Sequence, residues 1–318
     1  MDFLTSPMNR SGIEFIVHPS KAKVRTAELV YDQRIPLSEV TESTSEDAIC
    51  TATTKRGDLS ENYTIDTDTR LYVEELFDAR DWVNSCRENP DVLARKLQIM
   101  MDALMDKVAE QTAQELNPLI GNWSDDVATA YTVQGDGFLQ IATKLSGGNP
   151  DPEGFTTVDT SLIMTGYCDD VFITGGTDFY NHWKIMQAGC CADSGINMEQ
   201  IMAQYGRMVT YDRWVSNTFG NNFSAVIQRG AIQMLQFAWG DYNTAQAFDL
   251  SHRDYFKGAV MDPIWNIPID ITVQDTCGKI HIILEANAHP VAMPDDMFPT
   301  GDENEGVNYV GGVIISNP

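Results

Sequence analysis

The sequence predicts an α+β chain organised around one long helix. Three observations predict it. A capped helix with a single apolar stripe begins at Asn89, and a strongly alternating hairpin occupies residues 267–285. Between them, from 123 to about 261, short strands and short helices are interleaved with many glycines.

Taken in order, residues 1–26 read as an irregular N-terminal arm. Pro7, Gly12 and Pro19 interrupt it, and Ile13, Phe15, Ile16 and Val17 are too few to make a core. Such an arm needs another surface to pack on. Residues 27–78 are polar and strand-like. The stretch 48–54 is rich in β-formers, Lys55-Arg56-Gly57-Asp58 supplies a turn, and 62–67, which includes Tyr63, alternates again. A long hairpin results, marginal in isolation, that must lie on its own domain or on a neighbour. Arg56-Gly57-Asp58 also spells a cell-adhesion tripeptide, which a plain turn explains as well.

Residues 79–122 contain the clearest element. Asn89 suits an N-cap, Pro90 the first helical position, and Asp91 complements the helix dipole. Leu93, Leu97, Met100, Leu104, Val108 and Leu116 recur at helical spacing. Lys96, Asp102, Asp106, Lys107, Glu110 and Gln114 fall mainly outside that stripe, and Pro118 and Gly121 close the helix. About 28 residues at 1.5 Å each give a rod of roughly 42 Å, a spine onto which sheets can be laid.

Within 123–261, Val171-Phe172-Ile173-Thr174 reads as a buried strand, Gly175-Gly176 as a turn, and 178–187 as a helix. Residues 196–205 read as another short helix, and 223–239 as two strands around Arg229-Gly230. Residues 262–298 hold the best hairpin. One strand runs over 267–273, with Pro268 at an edge or a strand start; 275–278 turns, and 279–285 returns. The acidic, Gly-containing stretch 299–306 precedes a last strand at 307–315, within a C-terminal segment of 299–318.

Composition narrows the function. The 318 residues carry 46 acidic against 21 basic side chains, a net charge of −25. That balance opposes direct nucleic-acid binding, which relies on Lys and Arg at phosphates. It suits a protein held at high concentration, or one that must not stick to DNA beside it. After Lys279 no Lys or Arg follows, whereas Glu285, Asp295, Asp296, Asp302, Glu303 and Glu305 do. No apolar run approaches the ~18 residues of a membrane span. Met1-Asp2-Phe3-Leu4 lacks the pattern of a cleaved secretory signal, so none is expected.

Chemistry-bearing motifs are few. Cys50, Cys86, Cys168, Cys190, Cys191 and Cys277 form no CxxC pair and read as free thiols. Gly175-Gly176 ahead of a helix has neither the GxGxxG spacing nor the Gly-Lys-Ser/Thr ending of a phosphate loop, and reads as a tight turn. No GxSxG or HExxH motif occurs. His18, His182, His252, His281 and His289 are scattered. Asp125-Asp126, Asp169-Asp170 and Asp295-Asp296, with Asp66 and Asp68, suit hard cations in type but show no EF-hand spacing. The expectation is a chain with no catalytic residues, no cofactor and no dedicated metal site.

The ordered series of arm, polar hairpin, capped spine helix, mixed α/β region and late hairpin resembles the major capsid proteins of tailed bacteriophages, the Hong Kong 97-type capsid fold. So do Val171-Phe172-Ile173-Thr174-Gly175, Arg229-Gly230-Ala231-Ile232, and the late hairpin followed by Ala292-Met293-Pro294-Asp295-Asp296-Met297-Phe298. The resemblance covers nearly the whole chain and lies in architecture. It implies an N-terminal arm (1–26), an E-loop (27–78), a P-domain with its spine helix (79–122), an A-domain (123–261), P-domain strands (262–298) and a C-terminal segment (299–318).

That resemblance implies a shell of hexamers and pentamers, assembled in a host cytoplasm and enclosing double-stranded DNA without sequence-specific contacts. Arm and E-loop would reach onto neighbouring subunits, so Phe15, Ile16, Lys55, Arg56, Gly57, Asp58 and Tyr63 are the candidate inter-subunit contacts. Portal and scaffold proteins are implied partners and decoration proteins possible ones; no membrane is involved. Since the chain starts at Met1 without a helical pro-segment, a scaffold is expected as a separate protein. The competing readings are an encapsulin-like compartment with the same fold, and a metal-dependent hydrolase built on the acidic pairs.

Overall fold

The computed structural model describes residues 14–17, 26–31, 59–64, 71–78, 89–117, 129–132, 139–142, 151–164, 171–187, 208–228, 232–236, 255–261, 267–276, 279–286, 288–292 and 312–315. At its centre is helix α1, Asn89–Gln114, 26 residues long. The predicted stripe is the buried one. Met100, Leu104, Met105, Val108, Ala113 and Leu116 are buried, with Leu93 and Leu97 packed against them. The one hydroxyl in this stripe, on Thr112, is buried and donates to the Val108 carbonyl at 2.8 Å, so burying it leaves no orphan. Regular helix stops at Gln114, before Pro118, and a short turn carries the chain through Leu116.

A four-stranded antiparallel sheet lies against α1. Its order is β10 (Tyr255–Met261), β11 (Pro268–Thr276), β12 (Lys279–Ala286), β4 (Leu71–Asp78). The expected late hairpin is its centre, paired from Ile269 with Ala286 to Thr276 with Lys279. The strands run further towards the turn than the sequence alone suggests. Pro268 opens β11, where a missing N–H is tolerated. Alternation sends Phe77, Ile269, Ile282, Leu284 and Ala286 to the helix side, with Val73, Ile271 and Val273 packed against them. Lys96 of α1 reaches back to pair with Glu75, its ammonium 5.1 Å from the Phe77 ring centroid.

Two strands join this sheet from segments read otherwise in the sequence. Leu71–Asp78 lies at the end of the hairpin segment 27–78, yet it pairs with β12 along its length. Tyr255–Met261 lies at the end of the mixed region 123–261, yet it pairs with β11. Both pairings join segments far apart in the sequence.

A second, five-stranded sheet has the order β5 (Leu139–Ile141), β14 (Gly312–Ile315), β8 (Phe223–Gln228), β6 (Val171–Gly175), β7 (Met208–Tyr211). The C-terminal strand therefore sits inside this sheet, parallel to β5 and antiparallel to β8. Helices α2 (Pro152–Met164) and α3 (Thr177–Gln187) contribute to one side of it. There Phe155, Val158, Leu162, Phe179 and Trp183 form a core with Leu139, Ile141, Val209 and Val226. Phe155 anchors it, with ring centroids 4.8 Å from Phe179 and 5.8 Å from Trp183.

Strand β8 is the wall between the two cores. Phe223, Ala225 and Ile227 belong to the α1 core and Val226 to the other, all four at 1% exposure or less. Period-two alternation thus lets six residues serve two hydrophobic layers. The α1 side is completed by helix α4 (Arg213–Phe219), which contributes Val215. Asp212 caps α4, accepting from the Trp214 and Val215 amides at 2.8 and 3.0 Å. Gly220 ends it at φ 100°, a conformation that favours glycine.

The third sheet has the order β1 (Glu14–Val17), β9 (Ile232–Gln236), β13 (Ala288–Ala292). Buried Ile232, Met234, Leu235 and Ala288 tie it to the α1 core. Last is a two-stranded antiparallel ribbon of β2 (Thr26–Tyr31) and β3 (Leu59–Thr64). The predicted helix at 196–205 and the predicted strand at 48–54 lie outside the described residues.

Candidate assembly interface

The ribbon is the first candidate surface. The sequence suggests pairing 62–67 with 48–54; the described partner of β3 is β2, from Thr26 opposite Thr64 to Tyr31 opposite Leu59. This register sorts the ribbon by face. Ala27, Leu29, Tyr31, Leu59, Glu61 and Tyr63 share one face; Thr26, Glu28, Val30, Ser60, Asn62 and Thr64 share the other. The apolar character is thus concentrated on one side. Among the described residues the ribbon is a sheet of two strands with no third, an arrangement marginal without something beneath it. Alternating polar sequence hides this, because the two half-faces lie about thirty residues apart and only the register joins them.

Of the seven candidate contact residues, Tyr63 is on that face, opposite Ala27. Lys55, Arg56, Gly57 and Asp58 lie outside the described residues. Phe15 and Ile16 sit on β1, opposite Met234 and Leu235 of β9 in the same chain. This part of the arm is a strand of an intrachain sheet. Its β-branched and aromatic run finds a partner strand already buried in the core.

The outer face of the four-stranded sheet is a second candidate surface. Among the described strands β4 lies at the sheet's edge, and on the side away from α1 it exposes Tyr72 (59%) and Leu76 (51%) around Glu74. Two large apolar side chains at this exposure on one strand make it a candidate contact surface. Glu74 meets His281 of β12 at 3.2 Å, and Asp78 meets Lys279 at 3.6 Å. Paired polar groups between exposed apolar side chains give such a face specificity more than strength.

Gly175 and Gly176, at the end of β6, do not make an anion site. The Gly176 amide donates to the Phe223 carbonyl at 2.6 Å, and the Asp178 amide donates to the Asn221 carbonyl at 3.2 Å. The start of α3 is therefore occupied by backbone of the α4–β8 turn. Among the described residues, no cluster of three or more His, Cys, Asp or Glu could hold a metal ion. The acidic pairs Asp125-Asp126, Asp169-Asp170 and Asp295-Asp296, Asp66, Asp68 and all six cysteines lie outside the described residues. No described helix is long and apolar enough to cross a membrane.

Glu115, half-buried just past the end of α1, is pushed above the usual carboxylate range by burial, partly offset by a backbone hydrogen bond at Ala292. It ties the spine helix to the last residue of β13.

No family model matches the chain, and no curated protein matches it in sequence. Solved structures do match in fold. The cyanophage A-1(L) capsid subunit superposes with a TM-score of 0.54 at 11% identity, over 99% of this chain and 93% of that one. The capsid of Myoviridae phage XM1 gives 0.53 at 10% identity, over 99% and 93%. The capsid of cyanophage P-SCSP1u gives 0.50 at 10% identity, over 100% and 89%. The chain has the α+β fold of phage capsid proteins, and in that fold it resembles the major capsid proteins of tailed phages.

Proposed function

We propose that this chain is the major capsid protein of a tailed bacteriophage, a structural subunit that assembles into hexamers and pentamers of an icosahedral shell around double-stranded DNA. The observation that carries the reading is the whole-chain likeness to phage capsid subunits, 99% of this chain against 93% of the cyanophage A-1(L) subunit. A shared domain inside a larger enzyme would match over only part of its length.

In this reading the fold divides into Hong Kong 97-type parts. Helix α1 and the β10–β11–β12–β4 sheet form the P-domain. The five-stranded sheet with α2 and α3 forms the A-domain, and the β2–β3 ribbon is the base of the E-loop. The ribbon's apolar face, with Tyr63, Leu59, Tyr31, Leu29 and Ala27, is the side that covers a neighbouring subunit. The net charge of −25 keeps the inner wall from adhering to packaged DNA. Scaffold and portal proteins are the partners that such assembly requires, and the virion is where the protein resides.

Sedimentation of the purified chain, alone and co-expressed with a scaffold, tests this. The reading expects material migrating as multi-megadalton closed particles. A chain that stays monomeric under both conditions contradicts it.

A further inference from the structure

We infer that the gap between β5 and β8 is a strand-binding site, which residues 312–315 fill as a separable closing strand. This site stands apart from the shell reading and does not rest on it.

The five-stranded sheet is assembled from distant segments, with β14 between β5 and β8. β14 runs parallel to β5, with Val313 opposite Leu139 and Ile315 opposite Ile141. It runs antiparallel to β8, with Gly312 opposite Ala225 and Ile314 opposite Phe223. Among the described strands, β5 has no neighbour in the sheet except β14.

Both walls of the gap are held by other elements. Along its far edge β8 pairs with β6, from Val171 opposite Gln228 to Gly175 opposite Ser224. Its Phe223, Ala225, Val226 and Ile227 are fixed in the two cores. Leu139 and Ile141 of β5 are buried with Phe155 of α2. A Cβ on Gly154 of α2 would fall 2.1 Å from the Ala142 carbonyl oxygen just past β5, so helix and chain meet backbone to backbone. Two held walls one strand apart turn main-chain donors and acceptors towards the gap. Such a gap takes an extended peptide by strand addition.

One polar group sets how firmly the gap closes. Ser224 on the β8 wall, opposite Val313, is fully buried, and among the described residues its hydroxyl has no hydrogen-bond partner. An unpaired hydroxyl opposes its own burial. With β14 withdrawn, water reaches it along the open side. Ser224 therefore weakens the closed state, and the strand can leave while its walls persist.

The full chain with a protease site inserted between Gly301 and Asp302 tests this. After folding and cleavage, residues 302–318 should stay bound on gel filtration and exchange with a fluorescent peptide of the same residues. A peptide carrying Ile314→Pro lacks a ladder N–H and should bind roughly tenfold more weakly or worse. Ser224→Ala should slow the exchange about fivefold, because no hydroxyl is then left unpaired on closure. In the uncleaved chain, Ile314→Pro should remove hydrogen-exchange protection from residues 139–141 while α1 keeps its own. Immediate release of the segment, a bound segment that never exchanges, or equal binding of the Ile314→Pro peptide would overturn the site. So would an exchange rate indifferent to Ser224→Ala, or loss of protection in α1 together with 139–141.

Discussion

The carbonyl oxygen of Asn221 lies 2.0 Å from where a Cβ on Gly176 would fall, and its amide side chain accepts from Ser216 at 2.6 Å. One residue thereby fixes the β6–α3 turn against the end of α4. The opposing atom is backbone, so a side chain at 176 cannot be accommodated by a rotamer change. Gly176→Ala is expected to cost about 3 kcal/mol, the upper range for overpacking, read as a lowered midpoint in urea. An unchanged midpoint would mean that the turn is looser than its geometry indicates.

Leu104 is 3% exposed in the core shared by α1 and the sheets. Leu104→Asp buries a charge without a partner and should cost roughly 3 kcal/mol or more. Thermal unfolding that matches the wild type would refute the assignment of the buried stripe.

What could be read from the sequence was local. Asn89, Pro90 and the Leu93–Leu97–Met100–Leu104 spacing define α1 within one stretch of chain, and the late hairpin has both strands and its turn in one window. Pairings between distant segments were not legible. Nothing in 71–78 says that Glu75 will meet Lys96, or that β4 will extend a sheet begun two hundred residues later. Likewise Thr26–Tyr31 gives no sign of Leu59–Thr64, because polar alternating strands specify register only weakly. The candidate interface was legible to the same degree. The apolar face of the ribbon needs the β2–β3 register, and the exposed Tyr72 and Leu76 need the sheet's other side to be covered by α1.

Glu115 makes stability depend on pH. Burial raises its folded-state pKa above the unfolded value, so the folded chain binds the proton more tightly. The charged form is the unfavourable one in the folded state. This contribution to stability is fully present below the unfolded pKa and declines as pH rises through the folded one. Glu115→Gln removes the charge but keeps an acceptor for the Ala292 amide. The melting temperature of the variant should exceed that of the wild type at pH 7, and the difference should disappear below about pH 4. A difference independent of pH would contradict the account.

The ribbon should be dispensable for folding and necessary for assembly. Deleting residues 52–62 removes most of β3 and leaves the cores built on α1 and β8 untouched. Circular dichroism and melting temperature should match the full chain, with particles lost. Intact particles from the deletion would remove the ribbon from the assembly mechanism.

The central claim is that surfaces left open among the described residues are completed by other copies. Cryo-electron microscopy of the expressed protein, with a scaffold supplied, tests it most directly. The account predicts closed icosahedral shells in which the face of the ribbon carrying Leu29, Tyr31, Leu59 and Tyr63 rests on an adjacent subunit. Dispersed monomers, or shells whose ribbon folds back onto its own subunit, would contradict it.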